Sequence, residues 1–573
     1  MIASTRWLPR WVSHYPKDKL GADLSAGLIV AVLVIPQSLA YALLAGLPPQ
    51  VGLYVSIFPV IAYALLGSSM VQAVGPVAIT ALMTYSVLSP VAEPGSPQYL
   101  VLAAALSLLS GVMLLVCGLL RFGFLSQLLS RPVIAGFVSG SAVLIVISQL
   151  GRLVGVPVAG GDTWQMLSSF FSALPNSHVP TLVVGLGALA LLVISKAKLG
   201  AWLVHAGMSA VRAVVVIRVM PLVVVLLGTL TVIGLELDLR FGVAVVGRVR
   251  EGLPGFDFFL PTLTTLNSLL LPAFIMALIG MVQGIAVAQA LAIKRRERID
   301  ANAELLGLGA ANVVAAFHGG MPVGGGLTRS AVNVAAGAQT PLASIVTALT
   351  MIAVVLGLAH WLERLPLAVL AASIIMAAWA MVDLKTLRQA WHYDRADATA
   401  YIGTALGVLA FGLEVGIVAG IVLSTGTVLY RSSQPHIAVM GRIPGSEHFR
   451  NIERYDAETI PGVLFLRVDE KLFFGNLVAV EERLLHELEI LQRASEPVTD
   501  LVLVMSAVNR MDSTAVDVFT ELNEDLQGRG IRMHLAEIKG PVQDRLQRSA
   551  LWPVLSGEVF LSANEAFERL RPP

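Results

Sequence analysis

Between Leu24 and Leu120 the chain carries one formally charged side chain, Glu93, a run long enough for about four helical crossings of a bilayer at roughly 20 residues each. Apolar segments of this kind recur, about fourteen in all, until near Tyr430. Two of them, starting near Val77 and Leu327, are unusually short. Beyond Tyr430 the pattern changes: "GVLFLRVD", "DLVLVMSAV" and "IRMHLAEI" read as strands, and "LVAVEERLLHELEILQRA" and "AVDVFTELNEDLQ" as amphipathic helices. Strands alternating with helices predict a small α/β domain. The expected organisation is a segment 1–23, a transmembrane domain 24–430, a linker 431–460 and an α/β domain 461–573.

Composition agrees with this division. With 56% hydrophobic and 13% charged residues the chain is too apolar for a soluble protein of its size. The first apolar span outlasts a signal peptide, so it is expected to be retained. The single cysteine, Cys117, excludes an intramolecular disulfide, and no Cys/His cluster has metal-ligand spacing.

A net charge of +1 hides a strong asymmetry. Alternate loops collect Arg6, Arg10, Lys17 and Lys19, then Arg121 and Arg131, then Lys196, Lys198, Arg212 and Arg218, then Lys294, Arg295, Arg296 and Arg298, then Lys385, Arg388 and Arg395. The opposite loops hold Arg152, Arg240, Arg248, Arg250 and Arg364. The positive-inside rule makes the first set cytoplasmic, puts both termini inside and requires an even number of crossings of the inner (plasma) membrane. The basic run Lys294–Arg298 is then a topology determinant, and no nucleic-acid partner is expected.

The membrane part repeats itself faintly. "VIPQSLAYALLAG" (34–46) is echoed by "MVQGIAVAQALA" (281–292), and "QAVGPVAITALM" (72–83) by "PVGGGLTRSAVN", all at offsets of about 250 residues. Seven crossings per half, about 24–236 and 269–430, would invert the second half relative to the first, as in many secondary transporters.

The short segments carry the candidate chemistry. Glycine- and proline-interrupted backbone survives at membrane depth only where protein buries it or water reaches it. If each short segment is an extended approach followed by a half-helix, two helix N-termini face each other. Each offers unpaired N–H groups and roughly half a positive charge, and together they form an anion site. Val77, Ala78 and Leu327 mark the two helix starts; Gly325 and Gly326 permit close backbone approach. Thr328 and Ser330 supply hydroxyls that can face either an ion or their own helix backbone. Arg329, in the first turn, is disfavoured both by depth and by the helix dipole, and an anion would compensate it. Gln37, Tyr41 and Gln283 add polar groups from the first crossing of each half. Glu304 reads as ordinary capping at a helix start. No nucleophile–base pair, phosphate-cradling loop or metal cluster appears, so neither catalysis nor a cofactor is expected.

"IPQSLAYALLAGLPPQVGLY" (35–54), "QAVGPVAITALM" (72–83), "GGMPVGGGLTRSAVNVAAGAQTPLA" (319–343) and "LVLVMSAVNRMDSTAV" (501–516) together resemble the sulfate permease family, known in animals as solute carrier family 26. The last stretch is similar to a sulfate-transporter-and-anti-sigma-antagonist (STAS) domain. The resemblance covers nearly the whole chain. It implies core and gate domains in a seven-plus-seven inverted repeat, a homodimer, and elevator-like movement of an anion held between the third and tenth helices. Two departures stand out. Many proton- or sodium-coupled members have a carboxylate where this chain has Gln283, which weakens symport and favours exchange or uniport. The tenth-helix approach usually brings hydroxyls where Val323 is followed here by three glycines, leaving more of the binding to backbone N–H groups. Anti-sigma antagonists are phosphorylated at the hydroxyl two residues after an Asp, here Thr514, a candidate regulatory phosphosite; in transporters this loop is more often only a helix cap.

The expectation is a polytopic α-helical membrane protein with a cytoplasmic STAS domain that moves a small inorganic anion, sulfate first. Bicarbonate, chloride or a dicarboxylate are the alternatives, and a membrane-anchored anion sensor signalling through a STAS-binding partner is the reading from another class. A nucleobase carrier is disfavoured, because those proteins usually carry an acid in the eighth helix and lack a STAS domain.

Overall fold

The computed structural model describes residues 10–13, 15–127, 130–158, 163–250, 252–255, 262–493 and 497–572. Arg6 lies outside the described residues, as do the side chains of Arg10, Arg212 and Arg218. Two compact units divide the chain, Met1–Ser424 and Thr425–Pro573.

Among the described residues eight helices are long and apolar enough to cross a membrane, the last of them, Leu413–Ser433, running from the first unit into the second. Four shorter apolar helices, together with Leu327–Ala335 and Arg395–Phe411, bring the segments among the described residues to fourteen. Seven precede the break after Leu235 and seven start from Leu263. The helix starts follow from local sequence: Ser96, Asp300, Asp383 and Asp394 each accept a hydrogen bond from a first-turn N–H. Pro36, Pro221 and Pro272 sit inside helices, which is tolerated where neighbouring helices cover the freed backbone.

Two helix groups form. In one, Ala301–Phe317 packs on Pro97–Leu119 and on Phe58–Leu66, and Leu342–Gly357 packs on Leu20–Leu44. In the other, Arg131–Val154 is covered by Arg395–Phe411 and by Leu367–Trp379. Small residues set the close approaches. A Cβ on Gly111 would lie 2.7 Å from the Val313 nitrogen, and one on Gly309 would lie 2.7 Å from the Leu115 nitrogen. Without water to drive association, such backbone contact is what packs helices together in lipid.

The second unit holds a six-stranded sheet in the order β4-β3-β5-β6-β7-β8. Its strands are β3 Ile437–Arg442, β4 Phe449–Asn451, β5 Val463–Val468, β6 Asp500–Val504, β7 Arg532–Ala536 and β8 Val559–Phe560. From β5 to β8 the strands run parallel, and β3 pairs antiparallel with both β4 and β5. Leu477–Arg493 and Ser513–Gly528 are the crossover helices, where amphipathic periodicity places them. The stretch 431–460, read from sequence as a linker, instead contributes β3 and β4. Short strands beside turn residues carry little periodic pattern, and here register with β5, such as Ala438 opposite Arg467, fixes them.

Candidate anion site

Both short segments fold as an extended approach followed by a half-helix. Val74–Gly75 (β1) pairs antiparallel with Gly324–Gly325 (β2), with Val74 opposite Gly325 and Gly75 opposite Gly324. The Gly326 N–H extends the pairing to the Ala73 carbonyl at 3.1 Å. This two-stranded patch satisfies backbone groups that hydrocarbon could not. It also aligns the half-helices Ala78–Leu88 and Leu327–Ala335, whose N-caps are Val77 and Gly326.

The first intrahelical bonds run from Ala81 to Val77 and from Ser330 to Gly326. The N–H groups of Ala78–Thr80 and of Leu327–Arg329 therefore have no intrahelical acceptor. With the two dipoles' positive ends converging, the space between them favours an anion.

Arg329 stands in this space at 3% exposure. Its Nη2 donates to the Pro76 carbonyl, at the end of the approach to the first half-helix. That bond uses one of five guanidinium donors, and no carboxylate pairs with Arg329 among the described residues. Glycine is required opposite it: Gly75 has φ +153°, and a Cβ there would run into Arg329 Nη1. A Cβ on Gly326 would press the Arg329 stem at 3.0 Å. The arginine's packing therefore depends on two glycines, one from each half of the chain.

A cavity of about 40 Å³ opens at the meeting point, lined by Gln37, Tyr41, Val77, Ala78, Gln283, Gly326, Leu327, Thr328 and Arg329, with Ile79, and closed by Met381 from the other helix group. At roughly 10–15 Å³ per water-sized probe position it holds a few waters or one small ion. Nine of the eleven residues put forward from sequence thus share one wall. Gly325 lies one step behind, locked in β2, where a Cβ would meet Gln72 Nε2 at 2.6 Å and the Gly284 Cα at 3.1 Å. Ser330 faces away: it is fully buried, and its Oγ accepts from the Ala73 N–H at 2.9 Å. Thr328 is exposed to the cavity.

A larger cavity of about 280 Å³ runs along the same first helix from Ile29 to Tyr41 and shares Gln37, Tyr41 and Thr328 with the small one. Its walls are mostly apolar, and Lys196 is the cation on them. It adjoins the small cavity on the side of that helix's N-terminal end.

Two carboxylates that anchor the site were missed or misread. Glu304 is not a cap, because Asp300 fills that role by accepting from the Asn302 and Ala303 N–H groups. Glu304 is fully buried and accepts from Tyr63 Oη at 2.6 Å, from Ser68 through both N and Oγ, and from the Ser69 N–H at 2.7 Å. It therefore holds the chain just before β1. Asp23 does the same after the second half-helix, accepting from Tyr15 Oη, from the Gln339 and Thr340 N–H groups and from Thr340 Oγ1. The sequence carried a hint in each case: an acid inside an apolar helix needs partners. Gln72, also passed over, is 2% exposed with neither amide atom hydrogen-bonded among the described residues.

In the sheet domain, Asp512 caps Ser513–Gly528 by accepting from the Ala515 N–H at 2.8 Å and also accepts from the Phe474 N–H at 3.0 Å. Thr514 is exposed in that helix's first turn.

Fourteen helical segments among the described residues, two of them half-helices meeting N-terminus to N-terminus, joined to a small α/β domain, define a polytopic membrane protein built around a buried polar site. The sulfate permease family model matches residues 20–404 and the STAS domain model residues 454–566, and the chain belongs to that family. The family is one of transporters and not of enzymes. A probable sulfate transporter of Mycobacterium tuberculosis is 33% identical, covering 100% of this chain and 99% of that protein. "Sulfate transporter 4.1, chloroplastic" of Arabidopsis thaliana is 32% identical, covering 96% of this chain and 80% of its own length. The fold is similar to that of the murine solute carrier 26 family member A9 anion transporter in its inward-facing state, with a TM-score of 0.87, 23% identity, and coverage of 99% of this chain and 96% of that one. The transmembrane domain of a cyanobacterial bicarbonate transporter, BicA, aligns over 71% of this chain and 98% of its own, with a TM-score of 0.59 and 23% identity.

Proposed function

We propose that this protein is a secondary transporter of a small inorganic anion, sulfate first, in the inner membrane with both termini cytoplasmic. The carrying observation is the 40 Å³ cavity framed by two half-helix N-termini and one arginine without a carboxylate partner, with no carboxylate among the described residues that line it. Its size favours a single-centred ion such as sulfate, bicarbonate or chloride over a dicarboxylate. Gln37, Gln283, Tyr41 and Thr328 supply donors at the sides, and Arg329 supplies the charge. Because the cavity lies between the two helix groups, carrying one group past the other would expose it alternately, an elevator movement within a homodimer. The sulfate transporters among its relatives support the substrate.

No acid lines the site, and the two buried acids that anchor it are fully engaged in hydrogen bonds to neighbouring loops. Exchange or uniport therefore fits better than proton or sodium symport. Thr514 remains a candidate phosphosite through which a cytoplasmic partner would act.

Counterflow of radiolabelled sulfate in proteoliposomes, competed by bicarbonate, chloride and dicarboxylates with and without proton and sodium gradients, tests this reading. Arg329→Ser should reduce sulfate counterflow about tenfold or more, as expected for loss of a charge-assisted contact. Wild-type flux in that variant would sink the role of Arg329, and binding without flux in the wild type would point to a sensor.

A further inference from the structure

A third cavity, about 230 Å³, lies beyond the central one along the same elements. The first helix lines the 280 Å³ cavity from Ile29 to Tyr41, the 40 Å³ cavity at Gln37 and Tyr41, and the third at Leu44. The first half-helix lines the central cavity at Ala78 and the third at Leu82 and Tyr85, which are about 6 and 10 Å further along at 1.5 Å per residue. The three spaces therefore stand in series, and the third is on the side away from the large cavity.

Its polar wall comes from one helix, Arg131–Val154, which contributes Ser148, Gln149 and Arg152; Tyr85 faces them. Arg152 Nη2 donates to the Leu43 carbonyl at 3.1 Å, and no carboxylate pairs with it among the described residues. Two of the four other arginines assigned to the same side have acids: Arg240 meets Glu236 at 2.8 Å and Arg364 meets Asp238 at 3.3 Å. Gln149 is 1% exposed; its Nε2 donates to Ser148 Oγ at 3.1 Å, and its Oε1 has no partner among the described residues. A guanidinium with spare donors beside an unsatisfied amide oxygen suits an anion that still carries water, since the ion takes the N–H groups and its water, or a proton on the ion, takes the amide oxygen. The space allows it: 230 Å³ holds an ion with several waters, whereas the central 40 Å³ does not.

We infer that the Arg152 cavity is a second anion station on the transport path, at the outer end, where a small inorganic anion rests partly hydrated before it enters or after it leaves the half-helix site. The inference rests on the transporter reading of the central site and on its sidedness. Arg152 there does for the outer mouth what Lys196 is placed to do for the inner one: it draws an anion toward the path without gripping it in a stripped cage.

Selenate, a sulfate analogue visible by anomalous scattering, tests it in crystals of the full chain. Selenate density at Arg152 in addition to density between the half-helices is expected. Density between the half-helices alone overturns the station and leaves the central site standing; density at neither place overturns both. Arg152→Gln in vesicles of known orientation supplies the second arm. With saturating sulfate inside, the outside sulfate for half-maximal exchange should rise about tenfold, the scale of one lost charge-assisted hydrogen bond. Inside half-saturation, with saturating sulfate outside, should hold. Arg152→Lys, which keeps the charge, should restore most of the outside affinity. An arginine that only clasps the Leu43 carbonyl would lower thermal stability without moving outside half-saturation, and that result, or selenate bound at Arg152 with wild-type exchange in Arg152→Gln, overturns the proposal.

Discussion

Arg329 belongs to the second half-helix, yet its guanidinium rests on the Pro76 carbonyl, at the threshold of the first. One side chain thus ties together two segments some 250 residues apart in sequence, beside a strand pair that does the same through backbone bonds. An ion bound between the helices would compete with that carbonyl for the guanidinium, so loading the site and loosening this tie are coupled.

Gly75 and Gly324 face each other in the strand pair but are not equivalent. A Cβ at Gly75 meets Arg329 Nη1 in a backbone region that only glycine favours, while one at Gly324 finds Val77 Cγ2 at 3.2 Å as its nearest neighbour. Gly75→Ala should lower sulfate transport about tenfold, from strain of roughly 1–3 kcal/mol together with a displaced guanidinium. Gly324→Ala should cost much less. Equal effects in counterflow would show that Arg329's seat is not set by Gly75.

Thr328 and Ser330 are two residues apart, and their hydroxyls have different tasks. Thr328→Val should raise the sulfate concentration for half-maximal transport severalfold with little change in melting temperature. Ser330→Ala removes the acceptor of the Ala73 N–H, so it should destabilise by about 1–3 kcal/mol and leave half-saturation near wild type. Paired flux and thermal-melting measurements on purified protein separate these outcomes, and the reverse pattern would refute the assignment.

Glu304 collects four donors from Tyr63, Ser68 and Ser69, two of them buried and two half-buried. Glu304→Ala leaves them all unmatched and should destabilise the protein by about 3 kcal/mol or more, read as a lowered melting temperature in detergent. Replacement of Glu93, which lies in the exposed turn after the first half-helix, should change melting little and serves as the control.

In the sheet domain, burial opposes the ionised form of Asp469, but hydrogen bonds from Arg467 and His436 outweigh it and hold the carboxyl below its ordinary value. A carboxyl with a depressed native pKa stabilises the fold above its unfolded pKa, near 4, and that contribution disappears as pH falls through the native value. Asp469→Asn should therefore speed hydrogen exchange at the ends of β3 and β5 at pH 7. The difference from wild type should shrink as pH drops below about 4. A difference that persists at the lowest pH would assign the effect to lost packing.

Much of this was legible in the chain itself. Apolar runs fixed the crossings because hydrocarbon tolerates nothing else, and glycine- and proline-broken backbone at Gly75–Pro76 and Gly324–Gly326 marked where helices had to stop. The weak echo at an offset of about 250 residues already relates Val77 to Leu327. What periodicity cannot carry is which way a particular side chain turns. Thr328 and Ser330 lie on nearly opposite faces of one short helix, and only its docking against Ala73 decides that Ser330 secures backbone while Thr328 meets the cavity. Glu304 looked like a helix-end acid, and Asp23 drew no notice, because their partners, Ser68 with Ser69 and Gln339 with Thr340, lie more than 200 residues away in the chain. The strand pair at the centre is likewise invisible locally, since two residues on each side have no pattern of their own. Sequence determined where the chain enters lipid and where it must break, because those are local costs of solvation. Tertiary structure alone decided which buried polar groups face the central cavity and which satisfy one another, because that depends on partners brought in from the other half of the chain.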